Sequence, residues 1–351
     1  MTITREQSLN MKGLGIFLIM IHNFVDHLLD ISCNEMSFSQ EATDAFTSHI
    51  FTSSALWYLF SFAGWIGVPL FFFLSGYGLT KKYGTNHIDI FQYIKQHVIK
   101  LWLLLIPVYL LYVIISHFCF GQAYYWKTQI LSVITFTANI HNVYFIEPGV
   151  YWFFGVILQF YILFLIFRKL KDKWLYALIV LFIIINYISL YCMSDLSMLK
   201  IRHNFTGWGV PFLLGIIAAR RDITIPKRWE LPICVVSFLL VCLCMTYKPL
   251  IPFSELFFVV FSISLVKMCT LRPVAFLGVI SASIFVVHPL IRMIMYKTIC
   301  PPHGASSHPI SMTIFYIAVV LLLSWAHHIL MKKVSSRKKH GNQWAVRHTY
   351  W

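Results

Sequence analysis

The chain has 351 residues, of which 59% are hydrophobic and only 12% are charged, and its mean hydropathy is +0.73. A soluble protein of this length needs more polar surface to cover its core, so this composition excludes a soluble globular fold. The net charge of +15 arises from Lys and Arg residues in short loops between apolar runs. That pattern is typical of membrane topology and not of nucleic-acid binding, so we expect the lipid bilayer as a partner and no nucleic acid.

Apolar runs of about 20 residues, long enough to cross the ~30 Å hydrocarbon layer, recur along the chain. They predict ten transmembrane helices, at residues 11–29, 56–79, 98–118, 150–167, 174–193, 205–219, 231–247, 251–268, 274–296 and 312–331. The run 205–219 is shorter than the others, and 129–140 is too short to cross. The predicted fold is therefore an all-α integral membrane domain over residues 1–331, followed by a basic cytoplasmic tail at 332–351.

The distribution of Lys and Arg tests this map, because the cytoplasmic loops of membrane proteins are enriched in both. With the N-terminus inside, most of the 28 basic residues fall in predicted cytoplasmic loops or at the cytoplasmic ends of predicted helices. The exceptions are Lys127, Lys200, Arg202, Lys248, Arg292 and Lys297. The sequence therefore predicts that both termini are cytoplasmic.

The first predicted helix carries the polar residues that are most costly to place inside a bilayer. His22 lies ten residues after Lys12, about 15 Å along the helix and near the middle of the membrane. Asp26 is one turn further on the same face, where its carboxylate could accept the Nδ1 proton and leave Nε2 free as a base. The alternative is that the pair only ties two helices together.

Five stretches in order along the chain carry a resemblance to a known family. They are Lys12 with His22, GVPLFFFLSGY at 67–77, WFFGVILQFY at 152–161, VPFLLG at 210–215 and LGVISASIFVVHP at 277–289. Together they resemble the acyltransferase-3 family over nearly the whole chain. Ser75, in the second stretch, is not in a GxSxG elbow, and packing is its expected role.

The resemblance implies a ten-helix membrane enzyme that moves an acyl group, often acetyl, from cytosolic acyl-CoA to a hydroxyl of a surface or lipid-linked glycan. It also implies a multi-pass cell-membrane location, the inner membrane in bacteria. The family's basic residue and histidine on the first helix correspond to Lys12 and His22. The spacing here is ten residues where the family often has eleven, so Asn23 is expected to share the position, since one residue rotates a helix by about 100°. Where some members carry Glu, this chain has Leu158.

Chemistry and resemblance together suggest a role for each candidate residue. His22 and Asp26 would act as base and orienting group, and Asn23 would stabilise the oxyanion. Lys12, Lys81 and Lys82 would meet the phosphates of acyl-CoA, unless the two loop lysines are only topology charges. The expected acceptor contacts are Gln159, Tyr161 and Trp152, whose alternatives are helix–helix hydrogen bonds for the first two and an interfacial belt position for Trp152.

No permanently bound cofactor and no metal site is expected, and acyl-CoA is the expected co-substrate. Glu255 is either neutral or paired with Arg292, and its role is unassigned. A transporter or flippase for glycan or lipid is the alternative function, although such proteins commonly show paired interrupted helices, which this chain lacks. The sequence leaves open the acyl group, the acceptor, the oligomeric state and the pairing of the cysteines near predicted outer helix ends. Those cysteines are Cys33, Cys119, Cys192 and Cys300.

Overall fold

A computed structural model of the chain describes residues 2–29, 38–84, 86–140, 148–221, 225–299 and 309–341. These residues form helices and no strands. The helices are α1 Arg5–Leu29, α2 Gln40–His49, α3 Ala55–Ala63, α4 Val68–Tyr83, α5 Ile90–Phe120, α6 Leu131–Ile134, α7 Trp152–Phe167, α8 Asp172–Cys192, α9 Asp195–Arg202, α10 Phe205–Arg220, α11 Lys227–Thr246, α12 Ser254–Met268, α13 Arg272–Thr298 and α14 Pro309–Gly341. The all-α prediction is therefore confirmed for the described residues.

Nine segments of the described chain are long and apolar enough to cross a membrane. One of them, Ala55–Tyr83, joins α3 and α4 through the 3₁₀ turn Gly64–Gly67. The remaining predicted span, 205–219, corresponds to α10, a helix of 16 residues that is not among these nine and whose side chains are mostly buried against other helices. The chain is thus a multi-pass membrane protein, and the side on which its termini lie stays a prediction.

Two predictions about the ends of helices fall partly outside the described residues. The basic tail begins as helix, because α14 continues to Gly341, and residues 342–351 lie outside the described part. Cys33 and Cys300 also lie outside it, whereas Cys119 and Cys192 are free thiols.

Small residues allow the main chains of the central helices to approach closely. A Cβ atom added to Gly278 of α13 would overlap the carbonyl of Leu9 on α1, and one added to Gly67 would overlap the backbone of Gly15. The same kind of contact joins α4 to α10, where Gly215 meets the carbonyl of Phe73. Because apolar side chains gain little by leaving lipid for protein, such close packing is a main source of helix association in membranes. These contacts place α1 between the 3₁₀ turn and α13.

Candidate functional site

His22 lies where α1 passes closest to the end of α3. A Cβ on Gly64 would overlap the Cβ of His22, so only glycine lets the two segments come this near. The ring is 6% exposed, and its Nδ1 lies 3.2 Å from the carbonyl oxygen of Phe60. When Nδ1 carries the proton and donates it to this carbonyl, Nε2 is unprotonated and has the lone pair that a general base needs.

The structure gives Asp26 a different partner from the one predicted. Its Oδ1 accepts a hydrogen bond of 3.1 Å from Ser61 Oγ, while the neighbouring Phe60 carbonyl takes the place beside His22 Nδ1. The predicted hydrogen bond between Asp26 and His22 is therefore wrong. Helical spacing places the two side chains on one face, but it does not reveal that the main chain of α3 reaches the imidazole first.

Both polar atoms of the Asn23 side-chain amide make hydrogen bonds. Nδ2 donates to the carbonyl oxygen of Ile19 at 2.9 Å, and Oδ1 accepts from Arg292 Nη1 at 3.0 Å. The same Arg292 nitrogen also lies 3.2 Å from the carbonyl oxygen of Asn23. Arg292 therefore pairs with Asn23, and the suggested pairing of Arg292 with Glu255 is wrong. The sequence shows an Arg within an apolar helix, but it does not reveal that Asn23 is the partner of this Arg.

A cavity of about 210 Å³ opens among α1, α4, α5, α7 and α13. Its polar lining includes Lys12, Lys82, Lys100, His97 and Tyr161, and no Asp or Glu occurs among the described residues that line it. The structure thus brings together Lys12 and Lys82 as predicted. Lys81 is not part of the lining, and its ammonium lies 5.7 Å from the centre of the Tyr77 ring. Three lysines thus meet at this cavity.

Sequence reasoning missed two residues of this cavity, His97 and Lys100. His97 lies between Tyr93 and Tyr161, with ring centroids 4.3 and 4.2 Å away, and its Nδ1 is 2.7 Å from the carbonyl oxygen of Tyr93. Both residues are on α5, near the start of an apolar run. In the count of basic residues, Lys100 served only as a marker of the cytoplasmic side. Such a count does not predict which way a side chain points.

The walls of the cavity on α7 and α13 are aromatic. Phe153 and Phe285 line them, with ring centroids 4.8 Å apart. Two turns beyond Phe285 on the same helix is Arg292, the partner of Asn23. His22 itself is not among the lining residues. The cavity and the imidazole are therefore separate features that share two helices: α1 carries both Lys12 and His22, and α13 carries both Phe285 and Arg292.

The three predicted acceptor contacts are divided between two places. Tyr161 lines the cavity, whereas Gln159 donates to Asn204 Oδ1 at 2.7 Å and accepts from the Phe205 amide at 2.9 Å. Gln159 thus makes the helix–helix bond that was its alternative reading. Trp152 is only 4% exposed and stacks on Trp208, at 5.5 Å, which excludes a belt position at the surface.

The comparison with known families agrees with this arrangement of spans and polar residues. The model of the acyltransferase-3 family, described as an acyltransferase domain, matches residues 7–329. The chain belongs to the acyltransferase-3 family. It is therefore a membrane acyltransferase, an enzyme. The matched region extends from the first turn of α1 into α14. No curated protein and no solved structure gives a significant match.

Proposed function

We propose that this chain is an O-acyltransferase that transfers an acyl group, most simply acetyl, from acyl-CoA to a hydroxyl of a cell-surface or lipid-linked glycan. We place it in the cell membrane, the inner membrane if the source is bacterial. The observation that carries the proposal is the cavity lined by Lys12, Lys82 and Lys100 beside α1. The membership of the acyltransferase-3 family supports the reaction class.

The lysine end of the cavity suits the phosphate groups of acyl-CoA. Lys12, Lys82 and Lys100 come from three different helices, and each ammonium offers three donors to phosphate oxygens. Charge-assisted hydrogen bonds of this kind are stronger in a partly enclosed site than in water. The apolar walls formed by Phe71, Phe153 and Phe285 would receive the uncharged arm that carries the thioester.

The transfer needs a base for the acceptor hydroxyl, and we assign that role to His22. The hydroxyl proton passes to Nε2, the oxygen attacks the thioester carbonyl, and the C–S bond breaks as the tetrahedral intermediate collapses. The released thiolate takes a proton, which the imidazolium supplies. About 15 Å of α1 separates Lys12 from His22, so the long arm of acyl-CoA would extend along α13 to reach the ring.

The proposal assigns the oxyanion contact to Arg292 in place of Asn23. The amide oxygen of Asn23 accepts from Arg292 and one of its two Nδ2 hydrogens is donated to Ile19, which leaves Asn23 a single N–H donor. The guanidinium of Arg292 has further N–H donors beyond the one that bonds Asn23. Donors fixed beside the position where negative charge develops can lower the barrier substantially.

The experiment that tests the function is deletion of the chain followed by mass analysis of the surface glycans. We expect the acetyl mass to disappear from a glycan of the deletion strain, to return with the wild-type chain, and not to return with His22→Ala. Purified protein in lipid nanodiscs should also consume acetyl-CoA when extracted glycan is added. Unchanged glycans and no consumption of acyl-CoA would refute the proposal and leave the transporter alternative.

A further inference from the structure

Three aromatic side chains that line the cavity contact one another across three helices. The ring of Phe153 on α7 lies between the other two, 6.3 Å from the ring of Phe71 on α4 and 4.8 Å from that of Phe285 on α13, measured between centroids. We call these three residues the aromatic row. The cavity itself is called the lysine cavity, after Lys12, Lys82 and Lys100.

The order of contacts along α1 and α4 places the aromatic row between the lysines and His22. On α1, Lys12 lines the cavity, and three residues later a Cβ on Gly15 would lie 3.0 Å from the ring of Phe71. His22 follows about two turns further along this helix. The chain that leads into α4 has the reverse order, because Gly64 packs against His22 and Phe71 comes after it.

The same order is found on α13. Phe285 lines the cavity, and Arg292, about two turns later, donates to Asn23 Oδ1 at 3.0 Å. Asn23 directly follows His22 on α1. An acyl group that is carried from the lysine cavity to the imidazole would therefore pass the aromatic row.

The aromatic row is packed against further buried rings. Phe72 is fully buried, and its ring centroid lies 5.0 Å from that of Phe153 and 5.5 Å from that of Trp208. Phe285, at the end of the row, is 8% exposed and lies 5.6 Å from the ring of Phe154. Because protein interiors are close-packed, a ring of the row can move aside only a little. The cost of passing the row therefore rises with the width of the group that passes.

We propose that the aromatic row is a width filter that restricts the reaction to unbranched acyl groups. An unbranched acyl chain is as narrow as the cysteamine arm that carries it, so a row that admits the arm also admits the chain. A methyl branch beside the thioester carbonyl widens the group and has to displace a ring. This filter rests on the proposed function, in which acyl-CoA is the donor and His22 is the base.

Butyryl-CoA and isobutyryl-CoA test the filter, because their acyl groups contain the same atoms and differ only in branching. The ratio kcat/KM is measured for each with the full-length chain in lipid nanodiscs and glycan extracted from the deletion strain. We expect the wild type to prefer butyryl-CoA about tenfold or more, since one methylene too many in a close-fitting apolar site costs about 10- to 200-fold. In Phe153→Ala the preference should fall to about threefold or less, because the void left by the ring gives room for the branch.

Phe160→Ala is the matched control for Phe153→Ala. Phe160 is also on α7, is fully buried and packs 4.3 Å from the ring of Phe212, but it is not among the residues that line the cavity. This variant should keep the wild-type preference for butyryl-CoA. Phe153→Leu leaves a smaller void than alanine, so it serves as a second variant if Phe153→Ala does not fold. Its preference should lie between those of the wild type and Phe153→Ala.

Equal use of the two substrates by the wild type would overturn the proposed filter. An unchanged preference in the folded Phe153 variants, or an equal loss of preference in Phe160→Ala, would also overturn it. If the wild type and both Phe153 variants use acetyl-CoA but neither four-carbon substrate, the limit on the acyl group lies outside the aromatic row and the filter is refuted. No consumption of acetyl-CoA by the wild type would instead refute the proposed function, on which the filter depends.

Discussion

At His22, the hydrogen bond that fixes the ring joins Nδ1 to the carbonyl oxygen of Phe60, at 3.2 Å. We therefore expect His22→Ala to lower kcat about 100-fold or more, because the base is lost. Asp26→Asn should lower kcat less than about tenfold, because the amide oxygen can still accept from Ser61. Steady-state acetyl transfer by nanodisc-embedded protein measures both. Equal losses of kcat in the two variants, with normal thermal unfolding, would show that the Asp26 carboxylate is needed for catalysis.

The lysines of the cavity differ from their neighbour Lys81 in what they face. Lys82 and Lys100 line the cavity, whereas Lys81 lies over the ring of Tyr77. Removing a charged hydrogen bond to phosphate costs about 1.5–3 kcal/mol, so Lys82→Met and Lys100→Met should each raise the KM for acyl-CoA about 10- to 100-fold. Lys81→Met is the matched control, with KM unchanged. If all three variants behave alike, these lysines serve only topology.

His97 offers a comparison with His22, because it lines the cavity and His22 does not. Its Nδ1 is held by the Tyr93 carbonyl among the lysines that we propose bind phosphate, so we expect His97 to position acyl-CoA. His97→Asn should raise the KM for acyl-CoA about tenfold and leave kcat within about threefold. A loss of kcat as large as that of His22→Ala, with KM unchanged, would show that the general base is His97 and not His22.

What the sequence could predict at this scale depends on whether a contact is local. Lys12 and Lys82 were correctly brought together because both lie at the same end of predicted spans. The partner of Asn23 is 269 residues away on α13, and the partner of His22 is a main-chain oxygen of α3. Neither contact has a local signature, because helix rotation and depth are set by packing between helices. The site residues predicted from the sequence therefore include those of α1 but miss those of α5 and α13.

At the scale of helices, Gly13 and Gly278 set the distance between α1, which carries Lys12 and His22, and α13. Gly278→Val should lower stability by about 1–3 kcal/mol, because its Cβ would overlap the Leu9 carbonyl and force the helices apart. Gly149→Ala is the control, since no neighbour lies within 4 Å of a Cβ at that position. Thermal unfolding in nanodiscs measures the difference. Equal unfolding temperatures for both variants would show that α1 and α13 are not closely packed.

The spans themselves were predictable because hydrophobic length is read directly from the sequence. The one uncertain span, 205–219, became the 16-residue α10, whose Gly215 packs against the backbone of α4. A helix that is buried among other helices does not need the full length that lipid contact demands. The short length and the glycines of this run thus indicate a helix at the centre of the bundle. Hydropathy alone does not distinguish such a helix from a segment that is too short to cross the membrane.

For the whole molecule, the direction of transfer depends on which end faces the cytosol, because the proposed donor, acyl-CoA, is cytosolic. The end that carries Lys12 also carries Cys269, whose neighbour Thr270 hydrogen-bonds Glu6 of α1. The opposite end carries Cys192, at the end of α8. Both thiols are exposed and free. Two variants that each keep one of these cysteines therefore report on the two sides of the membrane.

We expect a membrane-impermeant maleimide, added to intact cells, to label the variant that retains Cys192 and not the one that retains Cys269. Permeabilising the cells should make Cys269 reactive, because the predicted cytoplasmic side carries most Lys and Arg. The reverse pattern would place the lysine cavity outside, beyond the reach of cytosolic acyl-CoA. The proposed donor and acceptor would then have to exchange sides of the membrane. The labelling pattern thus decides whether the charge distribution of this bundle matches the direction of the proposed transfer.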